Sequence, residues 1–483
     1  MLRAHLVADI RAAEEALAAT LPDGELMRRA SEGLAERIDF IPPGELVVML
    51  IGPGNNGGDA LYAAVHLLDR GVRVDLCLLD EHTVHADGLA AALAAGAQIV
   101  DEPGGQRWCL DAMFGIGARP GLEGKAAEWA RWIDDEGPFV IAVDTPSGID
   151  VDGGTLPESY VDAHLTITFG TFKNGLLVTP ATRAAGDTDS LVSDLVDIGL
   201  GPHLGAPSLE AIEARDGHRL RDIFEWIAEP ASHKYSRGVV GIAAGSEQYA
   251  GAAHLCVAGA QAGMAGMVRF AGSEALSARV VDRAPEVVAA PGRVQAWVVG
   301  PGGGDDVGAL ITAALADGVP VVLDAAALEV EHLPESFDVP ALLTPHAGEL
   351  ARLLDTDRED VEADPLGHVT KAAERWNATV LLKGPRTLIA TPGRPTRVNM
   401  SGSTWLATAG AGDVLAGLAG SMVAAGADPH DAGSYAAFLH GAASVGANFG
   451  GPVTASDVAA ELPRTIAAFH NETLDDDLFD WRD

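Results

Sequence analysis

The sequence predicts two consecutive α/β domains, each with a parallel sheet covered by helices on both faces. The 483 residues exceed what one hydrophobic core usually serves, and the 48% hydrophobic content allows two cores to be buried. Short strand-like runs alternate with alanine-rich helical segments, a pattern typical of parallel sheets. The alternation lapses from about 199 to 222, where turn residues and charges show no strand period. We therefore place a linker near 214 and predict domains at residues 1–214 and 215–483.

In the first half, an opening helix precedes five predicted strands. They are ELVVMLIG (45–52), VRVDLCLL (72–79), RWCLDAM (107–113), FVIAVD (139–144) and HLTITFG (164–170). The second half repeats the alternation with five more strands. These are GVVGIAAG (238–245), GMVRFAG (266–272), AWVVGPG (296–302), PVVLDAA (320–326) and TVLLKG (379–384). Open α/β sheets bind ligands at the carboxyl ends of their strands, so we expect sites there in both halves.

The chain is strongly acidic. It has 69 Asp and Glu against 32 Lys and Arg, a net charge of -37, which excludes a general affinity for nucleic acid or anionic membranes. Only five of the cations are lysines: Lys125, Lys173, Lys234, Lys371 and Lys383. An acidic surface with arginine in place of lysine predicts a protein that works in concentrated salt, and hence a source among the halophilic archaea.

We expect the unfolding midpoint to be higher in molar KCl than in dilute buffer. Repulsion among the carboxylates opposes the compact state, and near 1 M salt the Debye length falls to about 3 Å, which screens that repulsion. Thermal unfolding followed by circular dichroism in both media measures the effect. Equal midpoints would contradict the salt hypothesis.

The three cysteines, Cys77, Cys109 and Cys256, are isolated and odd in number. Because no Cys-x-x-Cys spacing occurs, neither a disulfide framework nor a zinc site is predicted, and reduced, buried thiols are expected. No run of about 18 apolar residues occurs, and the first residues mix charges through a helical pattern. These features predict a cytoplasmic protein without a membrane partner.

The first candidate site begins at GPGNNGGDALYAA, residues 52–64. This glycine loop follows a strand and enters a helix, where main-chain N–H groups and the helix dipole favour an anion. By itself it fits a tight strand-to-helix connection equally well. His66, further along the same helix, is interpreted as an interior or interfacial residue.

Two further strand ends add oxygen donors to the same site. Asp111 precedes a second glycine loop, Gly115–Gly121, and the next strand ends with Asp144 and Ser147. Carboxylate, amide and hydroxyl oxygens from neighbouring strand ends suit a hard cation. Asp144 can also be interpreted as a residue that caps its own turn, and the role of Lys173 stays open.

The second candidate site is TAGAGDVLAG, which enters a long helix. The N–H groups of Ala411, Gly412 and Asp413 could hold a transferring phosphoryl group, and the Asp413 carboxylate could accept a hydroxyl proton. An ordinary helix start with a favourable N-terminal charge is the simpler interpretation. The absence of a GxxxxGK[ST] motif excludes the P-loop family.

Three other segments of the second half point to the same chemistry. They are VVGPGGG (298–304), TPHAGEL (344–350) with His346 and Glu349, and LLKGPRTLI (381–389) with Lys383, Arg386 and Thr387. Taken alone, His346 could be a polar residue satisfied by its neighbours. Together the segments supply glycine turns and cations at several strand ends.

The first half resembles the epimerase domain of the NAD(P)H-hydrate repair enzymes. Their pattern GxGNNGGD, DAxFGxG, VDxPSG and TFGxxK is met at 52–59, 111–117, 143–148 and 168–173. The resemblance implies a Rossmann-like three-layer domain with K⁺ held by Asn56, Asp111 and Ser147, and with Asp144 as the acid/base at the C6 hydroxyl. The implied contacts to the hydrated dinucleotide are Asn55, Asn56, Gly57, Gly58, Asp59, Gly115, Ile116, Gly117, Ala118, Arg119, Pro120, Gly121 and Asp144.

The second half resembles the ribokinase-like ADP-dependent dehydratase domain of the same enzymes. HKYSRG at 233–238 and GAAHL at 251–255 match its opening, whereas AAGS at 243–246 and Trp405 depart from its usual pattern. The resemblance implies catalysis by Asp413, Mg²⁺ at the site and transfer of phosphate from ADP to the C6 hydroxyl. The implied substrate contacts are Ala252, Gly304, His346 and Asp413, and the implied ADP or AMP contacts are Lys383, Gly384, Pro385, Arg386, Thr387 and Gly412.

The sequence therefore predicts a bifunctional enzyme that epimerises hydrated NADH and NADPH and dehydrates the S form, giving AMP and phosphate. We expect a homo-oligomer. One alternative is a ribokinase-like small-molecule kinase with a non-catalytic N-terminal nucleotide-binding module. The other keeps the first domain as a binding module that has lost its chemistry, although Asn56, Asp59, Asp111, Asp144 and Ser147 are all present.

Overall fold

The computed structural model describes residues 1–186, 193–224 and 231–474, which fall into two compact units. One unit is Arg3–Leu209, and the other is Glu210–Asp483 together with Met1–Leu2. The predicted boundary after residue 214 lies a few residues beyond this division. The catalytic roles assigned to domains 1–214 and 215–483 stay predictions.

The first unit alternates strands and helices from residue 46 onward. Its elements are β1 (Leu2–His5), α1 (Val7–Ala18), α2 (Glu25–Arg37), β2 (Leu46–Ile51), α3 (Asn55–Asp69), β3 (Arg73–Leu78), α4 (Ala86–Ala95), β4 (Gln98–Ile99), β5 (Trp108–Ala112), α5 (Gly124–Glu136), β6 (Phe139–Val143), β7 (Leu165–Phe169), β8 (Phe172–Lys173) and β9 (Ser193–Val196).

The sheet of this unit has the order β4-β3-β2-β5-β6-β7-β9, and every neighbouring pair is parallel. All five predicted strands of the first half are confirmed. The edge strands β4 and β9 were not predicted, because two to four residues are too few for a period to emerge. β1 and β8 pair in parallel.

Both faces of this sheet are buried, as the three-layer prediction requires. Along β2, Val47, Met49 and Ile51 pack in the same cluster as residues of α2 and α3. The alternate residues Val48 and Leu50 pack on the other side with residues of α5. Successive side chains of a strand point to opposite faces, so a strand covered on both sides is a continuous apolar run.

The second unit also alternates strands and helices. Its elements are α6 (Gly217–Ile223), β11 (Val239–Ala243), α7 (Ala250–Ala262), β12 (Met267–Phe270), α8 (Glu274–Arg283), β13 (Ala296–Val299), α9 (Val307–Ala316), β14 (Val321–Leu323), β15 (Ala341–Leu343), α10 (Ala347–Leu354), α11 (Arg358–Ala363), α12 (Pro365–Trp376), β16 (Thr379–Leu382), β17 (Thr387–Ala390), β18 (Thr396–Asn399), α13 (Ala411–Ala424), α14 (Pro429–Asn448) and α15 (Ala455–His470).

Strands follow the order β12-β11-β13-β14-β15-β16-β17-β18-β10 in the second unit, where β10 is Leu209–Ala211 at the start of that unit. Pairing is parallel from β12 to β16, but β17 and β18 are antiparallel. The predicted parallel arrangement is confirmed from β12 to β16, and it does not extend to β17 and β18. Residues 383–386 are too few for a crossover, so the chain returns as a hairpin.

Helices α7 and α13 approach closely in the second unit. A Cβ on Gly259 would clash with the carbonyl oxygen of Val414, and a Cβ on Gly417 would clash with that of Cys256. Glycine at these two positions lets α13 lie in the core, where nearly all of its residues are buried. This packing fixes the start of α13, where Asp413 lies. Within the described ranges, no helix is both long and apolar enough to cross a membrane.

Candidate active sites

A cleft of about 1900 Å³ opens at the carboxyl ends of β2, β5 and β6 in the first unit. It exceeds the roughly 300–1,000 Å³ of common ligand pockets, so a dinucleotide could enter it. The predicted residues that line it are Asn55, Asn56, Asp59, Gly115, Ile116, Gly117, Ala118, Arg119, Pro120, Gly121 and Asp144. The structure thus brings two glycine loops and one strand-end carboxylate together.

Gly57 and Gly58 are buried in the first turn of α3 and do not line the cleft. A Cβ on Gly57 would clash with the carbonyl oxygen of Gly52, and one on Gly58 would lie 2.9 Å from Met27 Cε. These two glycines let α3 pack closely against its neighbours. This packing accounts for both glycines without any contact to a ligand.

Asp144 is held rigidly at the end of β6. Its φ of 69° is unusual for a residue other than glycine. Its Oδ1 accepts from Lys173 Nζ at 2.5 Å, and from Thr168 Oγ1 and Phe169 N at 3.2 Å each. These partners lie beyond its own turn, so the capping interpretation is not supported. Among the described residues no donor reaches Oδ2, and Asp144 lines the cleft.

Lys173 is 1% exposed and belongs to the short strand β8. Besides Asp144, its ammonium donates to Thr168 Oγ1 at 2.8 Å and to Phe169 O at 2.9 Å. Buried ammonium groups need such partners, because leaving one unpaired costs several kcal/mol. The role of Lys173 that the sequence left open is therefore that of counter-ion to Asp144.

Two more carboxylates lie near Asp144. Burial raises the pKa of Asp59 well above its usual range, and the charges of Asp144 and Glu14 raise it further. Burial also raises the pKa of Glu14, with Asp144 adding to the effect and Lys173 and Arg11 opposing it. Three carboxylates near one ammonium cannot all be ionised cheaply, so this cluster favours the binding of a proton.

Asp111 and Ser147 form a buried pair at the ends of β5 and β6. Asp111 Oδ1 accepts from Ser147 Oγ at 2.6 Å and from Met113 N at 3.2 Å, while Oδ2 accepts from Ser147 N at 2.7 Å. Burial nevertheless raises the pKa of Asp111 to about 6, with these bonds lowering it in part. No described lysine or arginine forms an ion pair with this carboxylate, so a bound cation would stabilise its charged form.

Asn56 lies beside Gly115, the residue after Phe114, whose N–H donates to Ser147 Oγ at 3.0 Å. A Cβ on Gly115 would lie 3.2 Å from Asn56 Cβ, and Asn56 Nδ2 is buried without a hydrogen-bond partner among the described residues. An unused buried N–H donor is costly unless an acceptor atom of a ligand reaches it, and a cation would be held by the amide oxygen Oδ1 instead. Carboxylate, hydroxyl and amide oxygens are ligands that hard cations take, so the three residues predicted to hold K⁺ fit it.

The second site surrounds the start of α13. Lys383 Nζ donates to Asp324 Oδ1 at 2.7 Å, and a Cβ on Gly412 would lie 3.3 Å from that ammonium. Burial raises the pKa of Asp413 to about 6, and the charge of Asp324 raises it further, whereas Lys383 lowers it. Asp324, Lys383 and Asp413 are therefore close neighbours, and two of them were predicted.

Glu349 is another carboxylate close to Lys383. Its Oε2 lies 3.9 Å from Lys383 Nζ and accepts from His346 N at 2.8 Å. His346 Nδ1 in turn accepts from Glu349 N at 3.1 Å, so the pair caps α10. Burial alone would lower the pKa of Lys383, but Asp324 and Glu349 outweigh it and raise that pKa. His346 has a structural role, because its Nε2 also lies 3.5 Å from Glu349 Oε1, although its side chain is 55% exposed.

The remaining predicted residues lie in two groups. Gly384, Pro385 and Arg386 lie in the turn after β16, and Thr387 opens β17; Arg386 is buried. Ala252 packs against the loop after β13, where a Cβ on Gly304 would lie 3.5 Å from Ser246 Cβ. A Cβ on Gly410 would clash with Leu255, so the α13 and α7 parts of the site adjoin. Trp405, which departs from the family pattern, is 52% exposed.

Sequence reasoning missed three residues of these sites. Asp324 directly follows a strand as Asp144 does, and that shared signal could have found it. Arg11 and Glu14 line the first cleft from α1, a helix outside every motif. An amphipathic helix carries no local sign of which polar residues face a ligand, so these two required the structure.

Two family models and several curated proteins match this chain. The family model described as NAD(P)H-hydrate dehydratase matches residues 240–464, and that described as YjeF-related protein N-terminus matches residues 23–175. The bifunctional NAD(P)H-hydrate repair enzyme Nnr of Mycobacterium leprae is 40% identical over 96% of this chain and 99% of its own length. That of Mycobacterium tuberculosis H37Rv is 41% identical over 87% of this chain and 89% of its own.

A solved structure of the ADP/ATP-dependent NAD(P)H-hydrate dehydratase from Bacillus subtilis, cocrystallised with ATP and Mg²⁺, is also similar. It is 28% identical and covers 50% of this chain and 93% of its own, with a TM-score of 0.47.

Carboxylate and lysine clusters at the edges of two α/β sheets define an enzyme with two separate sites. The chain belongs to the family of bifunctional NAD(P)H-hydrate repair enzymes. The family predicted from the motifs is thereby confirmed, and the kinase alternative loses its support. The halophilic source, the cytoplasmic location and the oligomeric state stay predictions.

Proposed function

We propose that this chain repairs hydrated NADH and NADPH in two steps. The first unit interconverts the R and S hydrates, and the second dehydrates the S form at the expense of ADP, which becomes AMP and phosphate. The observation that carries the second step is the position of Asp413 at the start of α13, beside Lys383 and Gly412. A base, a cation and free N–H groups in one place are what phosphoryl transfer to a hydroxyl requires.

In the first site, Asp144 is the group that exchanges a proton with the C6 hydroxyl of the hydrate. Its Oδ1 is held by Lys173, Thr168 and Phe169, so its Oδ2 is presented to the cleft in one orientation. A fixed carboxylate loses little entropy in the reaction. Asn56, Asp111 and Ser147 would hold K⁺, which would supply positive charge next to the substrate.

In the second site, Asp413 takes the proton of the C6 hydroxyl as that oxygen accepts a phosphoryl group. Lys383 and the first N–H groups of α13 hold the phosphate oxygens. Residues 384–387, which include Arg386, contact the nucleotide. The hydroxyl becomes a phosphate ester, which leaves more readily, and its loss restores the nicotinamide ring. Asp324 and Glu349 are the carboxylates nearest to Lys383 that would hold Mg²⁺, which would neutralise charge on the phosphates.

A coupled assay tests the proposal. Purified protein, a mixture of R and S hydrates, ADP and Mg²⁺ should restore the absorbance of NADH until both epimers are consumed. Omitting ADP should stop the reaction, and replacing it with ATP reports the donor preference. Turnover of a sugar or vitamin without turnover of the hydrate would reject the proposed function, and consumption of only the S form would reject the epimerase half.

The dehydration rate should fall as the pH falls through about 6. Asp413 acts only when ionised, and burial together with Asp324 raises its pKa to about 6, so it is protonated below that pH. We expect kcat/KM for the S hydrate to rise about tenfold per pH unit below 6 and to level off above 7. The profile is measured on the S hydrate alone, and a midpoint near 4 would contradict the assignment.

Epimerisation should be faster in potassium than in sodium at equal ionic strength. The Asp111 carboxylate lacks a described cationic partner, and a site formed by several oxygens discriminates cations by size. Conversion of the R hydrate by wild type and by Asp111→Asn is measured in KCl and in NaCl. The variant should lose the difference between the salts, and a wild type with equal rates in both would remove K⁺ from the site.

A further inference from the structure

Helix α1 adds a cation to the first cleft that none of the sequence motifs contains. Ile10, Ala13 and Leu17 anchor one face of this helix in the unit. Arg11 and Glu14, three residues apart and therefore on one side of the helix, line the cleft. Because α1 is anchored in the unit, it holds the guanidinium of Arg11 at the cleft.

The guanidinium of Arg11 lies against the second glycine loop. A Cβ built on Gly117 would lie 2.5 Å from Arg11 Nη2 and 3.7 Å from its Cζ. Any larger side chain at 117 would therefore displace the guanidinium. No carboxylate of the described residues lies within ion-pair distance of Arg11, so its fork of N–H donors is available for a ligand.

The charge of the cleft explains why this arginine matters. Its cationic lining residues are Arg11, Arg119 and Arg131, and its anionic ones are Glu14, Glu15, Asp23, Asp59, Glu123, Asp134, Asp144, Glu158 and Asp162. An anionic dinucleotide meets net repulsion in such a lining unless cations lie where its phosphates bind. Arg11 is a cation that contacts the 115–121 loop from outside it, at Gly117.

We propose that Arg11 binds a phosphate group of the dinucleotide against the 115–121 loop, and that Gly117 is glycine because it must admit this guanidinium. The identity of the ligand rests on the proposed function. The group recognised is a phosphate, either of the pyrophosphate bridge or of the 2′ position. Arg11 is therefore a binding residue that determines affinity and does not touch the reacting C6 atom.

Steady-state kinetics of the first unit in the full chain test this. Arg11→Gln should raise KM for the R hydrate about ten- to a hundredfold, as expected for the loss of a hydrogen bond between charged groups, with kcat changed less than twofold. An equal rise for hydrated NADH and NADPH assigns the pyrophosphate, and a larger rise for NADPH assigns the 2′-phosphate. The matched control is Arg107→Gln, which removes a guanidinium that lies over Trp108 outside the cleft. It should leave KM unchanged.

Gly117→Ala provides a second, independent test. If the added methyl acts by displacing Arg11, the double variant with Arg11→Gln should have the KM of Arg11→Gln alone, which a double-mutant cycle measures. Additive effects of the two changes would overturn the link between Gly117 and Arg11. An unchanged KM in Arg11→Gln, or a fall in kcat alone, would overturn the binding role.

Hydrogen exchange separates failure of this inference from failure of the proposed function. NADP⁺ should slow exchange of the 115–121 amides in wild type and protect them less in Arg11→Gln at the same concentration. This readout does not depend on turnover. A wild type that protects the loop without epimerising would reject the proposed function only, and equal protection in both proteins would reject the role of Arg11.

Discussion

Replacing Asp413 with asparagine is expected to abolish dehydration of the S hydrate. Asparagine keeps the shape of the side chain but cannot accept the hydroxyl proton, and general bases contribute about 10²- to 10⁴-fold to rates. We therefore expect kcat for S-hydrate dehydration to fall by at least a hundredfold. The rate is measured from the absorbance of NADH with ADP in excess, and epimerisation of the R hydrate should be unchanged.

A matched control separates catalysis from helix capping. Asp457 occupies in α15 the same third position that Asp413 occupies in α13, and its carboxylate caps the helix with Thr454. Asp457→Asn should lower stability by about 1 kcal/mol or less and leave the dehydration rate within twofold. Because burial disfavours the charge of Asp413, Asp413→Asn should not lower the unfolding midpoint at pH 7. An Asp413→Asn protein that dehydrates at more than a tenth of the wild-type rate would contradict the assignment.

Replacing Asp144 with asparagine is expected to abolish use of the R hydrate while S-hydrate dehydration continues. The reason is the loss of the carboxylate that exchanges the C6 hydroxyl proton, and the expected fall in epimerisation is again at least a hundredfold. Starting from an equilibrium mixture, the variant should restore NADH only from the S fraction. Loss of both activities would mean that the two units were assigned the wrong chemistry.

Stability must be controlled in this variant, because Asp144 pairs with a lysine that is 1% exposed. Breaking a buried pair by removing one partner costs about 3–5 kcal/mol, so Asp144→Asn should lower the unfolding midpoint of the first unit. Adding Lys173→Met removes the unpaired charge. We expect the double variant to regain stability without regaining epimerisation. Recovery of both together would show that the single variant had lost activity through unfolding.

Local features of the chain explain how much of the fold was predictable. A strand buried on both faces, such as β2, is a continuous apolar run, and a glycine loop before a helix marks its carboxyl end. The same logic found Asp111, Asp144 and Asp413, each of which follows a glycine or an apolar run. β17 and β18 were not found, and their antiparallel direction depends on the length of the turn that follows β16.

The sequence alone determined the two-site organisation, the family and the motif residues, because strand ends and glycine loops are specified by neighbours a few positions away. Only the tertiary structure decided the partners of those residues. Lys173 lies 2.5 Å from Asp144 although 29 positions separate them, Lys383 pairs with Asp324 across 59 positions, and Arg11 rests on Gly117. Such pairs depend on how helices and strands pack. The sequence shows the charge of a side chain, but it does not show which distant group will lie next to that side chain.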